Sequence, residues 1–223
     1  MRSYREVVII FPVDPTIDFL NPIFELAKKL FTNATIDRPE PNSSCRSIND
    51  ETDLIIFLGH GTSRVLFGST DETSQKTDFI NISNGSRLFD ECTTILFSCN
   101  SKDFLNNIKA NPITINSFVV FGDMPTDEPH VKHNQANNKN YWTEYDESQL
   151  IFYKQTLVES FKNGLRFGYN SDSIEGFYKG VSFIINKRIN YIILNSKWNR
   201  NQKLQLIERL IEFKNDIKYS ESL

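Results

Sequence analysis

The stretch LIIFLGHGTS, residues 54–63, runs five apolar residues straight into Gly59-His60-Gly61. A short, continuous apolar run with β-branched members reads as a strand buried on both faces. The glycines behind it end the strand abruptly. Residues 93–101, TTILFSCNS, repeat the shape, with an apolar run closing on Ser98-Cys99-Asn100-Ser101. Each of the two strands delivers a reactive side chain at its carboxyl end, so fold and site are read together.

Two more runs of the same kind flank these: VVIIFP (7–12), stopped by a proline, and SFVVFGD (117–123). Between and after them lie amphipathic segments. DFLNPIFELAKKLF (18–31) predicts a helix with Asp18 as its cap and Pro22 in its first turn. SKDFLNNI (101–108) predicts a helix capped by Ser101, and ESQLIFYKQTLVESFKNG (147–164) one that ends on Gly164. SDSIEGFYKGVSFIIN (171–186), capped by Ser171 or Ser173, and NQKLQLIERLIEFKNDI (201–217) complete the helices, while INYIILNS (189–196) reads as a further strand. SRVLFGS and DFINISNG read as short strands, the second closing on an Asn-Gly turn, and SRLFDEC (86–92) as a helical turn or two. Residues 38–50 and 124–146 read as loops, the second long enough to suggest a functional role. Phe152, Phe161, Phe177 and Phe183 fall at helical spacings and are expected in the core.

Apolar strands alternating with amphipathic helices imply an α/β fold around a mainly parallel sheet covered on both faces. In such sheets, sites form outside the carboxyl ends of the strands. His60, Cys99 and Asp123 all fall on that edge.

Composition narrows the function. The 223 residues suit one domain, 1–223, able to bury a core without disulfide staples. The net charge of −3, with no basic run or Arg-aromatic patch, argues against a nucleic-acid partner. No window approaches a membrane span. Three cysteines outside any CxxC spacing, with no secretory signal, predict a cytoplasmic protein. GxGxxG and Walker A patterns are absent, and GHGTS has His60 where a serine-hydrolase elbow needs its serine.

A thiolate attacks a carbonyl well once a base takes its proton, and a histidine can later hand that proton to the leaving amine. Cys99 and His60 meet that need if their strands are neighbours. The Gly61 and Cys99 backbone N–H groups are then candidates for an oxyanion hole, worth about 3–4 kcal/mol per donor in hydrolases. Asp123 either selects a basic side chain on the substrate or merely caps a turn. His130 and His133, near Asp127 and Glu128, are weighed as a zinc set and read instead as a hydrated loop, so no metal is predicted. Cys45 and Cys92 have no visible base and read as incidental.

LIIFLGHG followed by ILFSCNS resembles the caspase-like cysteine peptidases, the superfamily of caspases, metacaspases, gingipains and separases, and most closely its bacterial CHAT branch. In that family one apolar strand ends in His-Gly and the next core strand in the nucleophilic Cys. The resemblance covers about residues 5–125 by motif. Ser98 replaces the CHAT-like alanine, and neither Gln-Ala-Cys nor an acidic residue at Phe97 is present. The resemblance implies a three-layer α/β/α sandwich of about six strands and a His60–Cys99 dyad that cleaves a protein or peptide without cofactor. It further implies an activating protein partner or proteolytic processing, and a setting in stress or anti-phage (antiviral) defence. Two other classes stand beside it: a catalytically silent caspase-like module that binds a partner, and a flavodoxin-like binding domain.

Overall fold

A computed structural model describes residues 1–73 and 75–221. Its centre is a six-stranded sheet in the order β2-β1-β3-β6-β7-β8. These strands are β1 (Val7–Ile10), β2 (Thr35–Asp37), β3 (Leu54–Leu58), β6 (Thr93–Phe97), β7 (Ser117–Val120) and β8 (Lys218–Glu221). The first five run parallel, and β8 closes the edge antiparallel to β7. The remaining two strands, β4 (Val65–Thr70) and β5 (Lys76–Asn81), form a separate antiparallel hairpin.

Alternation along the strands builds two cores. Val7, Ile9, Leu54, Ile56, Ile95 and Val119 face one side. There they meet α1 (Asn21–Leu30), α5 (Glu147–Ser171), α6 (Ile174–Asn195) and α7 (Arg200–Asp216). Val8, Ile10, Ile55, Phe57, Leu96 and Val120 face the other. That side is covered by the hairpin, α2 (Ile82–Leu88) and α3 (Ser101–Ile108). The chain is therefore an α/β/α sandwich with a mostly parallel sheet, as the sequence led us to expect. No helix among the described residues is long and apolar enough to cross a membrane.

Several local readings need correction. INYIILNS is not a strand but the last two turns of α6. Ile185 and Ile192, seven apart, continue the buried stripe of Val181, while Ile193 and Leu194 are exposed. Its apolar residues satisfy a helix seam as well as a strand. The missing sixth strand is β8, whose exposed, polar KYSE carries no apolar signal. β2, shorter still, also escaped notice. Gly164 does not end α5. It lies mid-helix, where a Cβ would sit 2.6 Å from Val181 Cγ2, so it serves the close approach of α5 to α6. Asn84-Gly85 is no turn either: Asn81 caps α2 and Asn84 answers it in a capping box.

Caps shift too. Asp14, not Asp18, caps the 3-10 turn Pro15–Leu20 that precedes α1. Ser173 caps α6. α3 has Asn100 as its cap residue, in the left-handed region at φ 55°, and Ser101 sits inside the helix. Phe161 and Phe177 are fully buried and Phe152 is partly so, but Phe183 is exposed on α6. The 124–146 segment is not all loop. It holds α4 (Glu128–Asn137), capped by Asp127 with Pro129 in its first turn, and the fully buried Trp142.

Candidate active site

Register places the site. Leu58 of β3 pairs with Phe97 of β6, and Leu96 of β6 with Val120 of β7. Carried past the strand ends, the first pairing sets His60 beside Cys99 and the second sets Cys99 beside Asp123. His60, Cys99 and Asp123 line one cleft of about 680 Å³ at the carboxyl edge, together with Lys76 of the hairpin and His130 of α4.

The Cys99 turn is braced from behind. The Ser101 hydroxyl donates to the Leu96 carbonyl at 2.7 Å and accepts the Phe121 N–H at 2.9 Å, tying the ends of β6 and β7 together. Asn100 N–H reaches the Gly122 carbonyl at 2.9 Å. Gly61 approaches so closely that a Cβ there would lie 2.8 Å from Ser98 Oγ and 3.1 Å from Leu66 Cδ2. The Gly61 and Cys99 backbone N–H groups have no hydrogen-bond partner among the described residues. Both residues line the cleft, and an oxyanion there would need donors of this kind.

No hydrogen bond joins Cys99 to His60. The thiol donates instead to the Met124 carbonyl at 3.4 Å. Burial first, then the Asp123 carboxylate, push its pKa up to about 12. Its place just ahead of α3 does not offset this, so the resting group is a thiol, not a thiolate. Iodoacetamide should therefore alkylate Cys99 slowly at neutral pH. Asp123→Asn removes the nearby negative charge and should speed the reaction about tenfold, for roughly one unit of pKa. Mass spectrometry of the labelled peptide reads both rates, and an unchanged rate in Asp123→Asn would show that the charge does not govern the thiol.

His60 is held by residues that sequence reasoning missed. Thr16 Oγ1 lies 2.5 Å from His60 Nε2 and 2.7 Å from Asp14 Oδ1. The hydroxyl has one proton, and as a carboxylate Asp14 can only accept it. His60 must then donate through Nε2, which fixes the tautomer and leaves Nδ1 as a free base. Asp14 is almost fully buried, and its Oδ2 lies 3.6 Å from His60 Nε2 with no hydrogen-bond partner. Burial, then the positive charge of Lys76, outweigh Asp14 and lower the His60 pKa to about 4. The imidazole is neutral at physiological pH. The available signal was the run FPVDPT, in which Asp14 caps a turn just beyond β1, the strand beside β3.

Asp123 is already engaged at both oxygens. Oδ1 pairs with His130 Nε2 at 2.8 Å, and Oδ2 accepts from Asn134 Nδ2 at 2.6 Å. His130 and Asn134 lie one turn apart on α4, so the helix presents both to one carboxylate. The signal for this was Asp127-Glu128-Pro129, a helix start. The hydrogen bond to Asp123 raises the His130 pKa, with burial opposing. His133 lines the same cleft and pairs loosely with Asn137 on α4. Cys92 is buried and bonded to the Thr52 carbonyl, and Cys45 contacts Ser47, both away from the cleft.

The two histidines have opposite linkage to stability. For His60 the folded pKa lies below the ordinary 6.5, so the stability from its neutral burial is complete above that pH. It is lost as pH falls toward 4. For His130 the folded pKa lies above 6.5, so its contribution is complete below that pH and fades as pH rises through the folded value. NMR titration of the ring carbons should show His130 turning above 6.5 while His60 stays neutral to about pH 4. A His60 midpoint above 6 would contradict the buried, neutral ring.

No protein-family model matches the chain, and no curated protein matches it.

Proposed function

We propose that the protein is a cysteine endopeptidase of the caspase-like kind, with Cys99 as nucleophile and His60 as its base. The observation that carries this reading is the row His60–Cys99 on adjacent parallel strand ends, flanked by two unpartnered backbone N–H groups. That row has the order and strand context that the sequence resemblance implies.

The thiol proton passes to His60 Nδ1 as Sγ bonds to the substrate carbonyl carbon. The carbonyl oxygen, now negative, is held by the Gly61 and Cys99 N–H groups. The C–N bond breaks, the amine leaves with the His60 proton, and a thioester remains. Water, giving a proton to His60, attacks the thioester and releases the acid and the thiol. A thiol held protonated before substrate arrives makes the enzyme depend on this base, not on a preformed thiolate. Because both Asp123 oxygens are bonded, selecting a basic substrate side chain would require it to displace His130. Control by a protein partner or by processing, a role in defence and a cytoplasmic site belong to the same proposal.

The test is hydrolysis of casein and of peptide libraries by the full chain beside Cys99→Ala and His60→Ala. It is paired with mass analysis of a peptidyl chloromethyl ketone adduct on Cys99. Loss of cleavage and of adduct in both variants supports the reading. Equal cleavage by wild type and Cys99→Ala overturns it. A silent partner-binding module would show no His60-dependent adduct while iodoacetamide still reached Cys99.

A further inference from the structure

The proposed nucleophile also belongs to a set of ligands whose other two members take no part in the peptidase chemistry. Cys99 Sγ, a carboxylate oxygen of Asp123 and a ring nitrogen of His130 all lie within 4.8 Å of one another. All three are partly buried, which limits competition from water for the ion. We propose that Cys99, Asp123 and His130 bind a zinc-class divalent ion with its fourth position open to the cleft, and that the ion withholds Cys99 from catalysis. Withholding rests on the peptidase reading above; binding does not.

The chemistry of the donors selects the ion. Zinc accepts thiolate, imidazole and carboxylate together, and three protein ligands with one open position is its usual arrangement where the site faces a cleft. Hard cations such as calcium and magnesium avoid thiolate. Bond lengths of about 2.0–2.3 Å place donor atoms on a tetrahedral ion about 3.4–3.6 Å apart. The Asp123–His130 pair stands at 2.8 Å and the set within 4.8 Å, so small rotations of side chains complete the tetrahedron.

The surroundings supply what such a site needs beyond its ligands. Cys99 and Asp123 stand on the ends of adjacent strands, and α4 carries His130 to them. Asn134 Nδ2 donates to Asp123 Oδ2 and so leaves Oδ1, which faces His130 Nε2, as the oxygen to bind the ion, an outer contact of the kind that orients ligands. On binding, the thiol releases its proton to solvent as the metal–sulfur bond forms, and the imidazole binds through a nitrogen free of its proton. The sulfur lone pair that would attack a carbonyl is then shared with the ion. Removal of the metal by a chelator returns the thiol.

Cobalt(II) and zinc(II) added to the metal-free full chain test the site without reference to activity. One equivalent of cobalt should give a thiolate-to-metal charge-transfer band and the visible bands of a tetrahedral ion, both displaced by zinc. Cys99→Ala should lose the charge-transfer band, and Cys92→Ala should keep it. His130→Ala and the near-isosteric Asp123→Asn should each weaken zinc binding by more than tenfold, and Asn134→Ala by about tenfold. Circular dichroism confirms that each variant is folded. Absence of the band in wild type, or its persistence in folded His130→Ala with unchanged affinity, overturns the site. Zinc should suppress wild-type hydrolysis reversibly, and undiminished hydrolysis at saturating zinc overturns the withholding role. Failure of the peptidase reading would leave the cobalt spectrum intact. Failure of the metal site would leave hydrolysis intact with no spectrum, so the two are separable.

Discussion

Cys99→Ala should lower the rate of peptide cleavage by at least about a thousandfold, since removing a hydrolase nucleophile costs up to roughly a millionfold. The argument is geometric before it is electrostatic. Cys99 lies at a mouth braced by Ser101, beside two unpartnered N–H donors, with a neutral imidazole on the neighbouring strand end. His60→Ala should cost about 10²–10⁴-fold, the range for a general base. Because the thiol is pushed up to about 12, no thiolate stands ready to replace that base. A papain-like ion pair would behave differently, keeping fast alkylation at neutral pH. Initial rates on one peptide, with active-site titration of each preparation, measure both losses. Cys99→Ser should stay near the level of Cys99→Ala, because a less acidic hydroxyl needs still more from the same base. A Cys99→Ala variant within tenfold of wild type would remove the peptidase mechanism outright.

The row of site residues was legible because strand register is arithmetic. The offset of 39 positions between His60 and Cys99 equals the offset of Leu58 from its partner Phe97. The offset of 24 between Cys99 and Asp123 equals that of Leu96 from Val120. Two runs of five buried residues, LIIFL and TTILF, left little freedom of register, since a one-residue slip would exchange the faces of every side chain. Both faces are covered here, yet their partners differ, with α1, α5, α6 and α7 on one side and α2, α3 and the hairpin on the other. The sequence order of strand and helix therefore carried the layer architecture as well.

What escaped was short or polar. β2 and β8 have no apolar pattern, because edge strands bury few side chains. The Asp14–Thr16–His60 chain escaped because Thr16 and His60 lie 44 positions apart and only the pairing of β1 with β3 unites them. His130 was read as part of a hydrated loop, and its pairing with Asp123 escaped because its helix is almost wholly polar, with Val131 as its sole buried residue. Periodicity has nothing to detect there, and only the Asp127-Glu128-Pro129 start signal remained. Polar helices at the rim of a sheet are where site residues gather and where apolar patterning is weakest.

Trp142→Ala should destabilise the fold by about 3 kcal/mol, the lower end of the range for a buried Trp. The indole is fully buried, packing 5.6 Å from Tyr145 and 5.6 Å from Tyr153 by ring centroid. Its Nε1 proton has no partner, and removing that unsatisfied donor returns roughly 1–3 kcal/mol, which is why the larger losses are not expected. For a chain of this size the melting temperature should fall by roughly 10 °C. Trp142→Phe keeps an apolar ring and discards the orphan proton, so it should stay within about 1 kcal/mol of wild type. The effect should reach the cleft, because the Trp142 carbonyl accepts from Gln135 Nε2 at 2.9 Å and thereby anchors α4, the helix that holds His130 and Asn134 against Asp123. Hydrogen exchange should accelerate at the amides of 130–138 in Trp142→Ala more than in β3 or β6. A Trp142→Ala loss below about 1 kcal/mol would mean that the buried indole contributes little. Uniform exchange across α4 and the sheet would mean that the anchor does not act on the site.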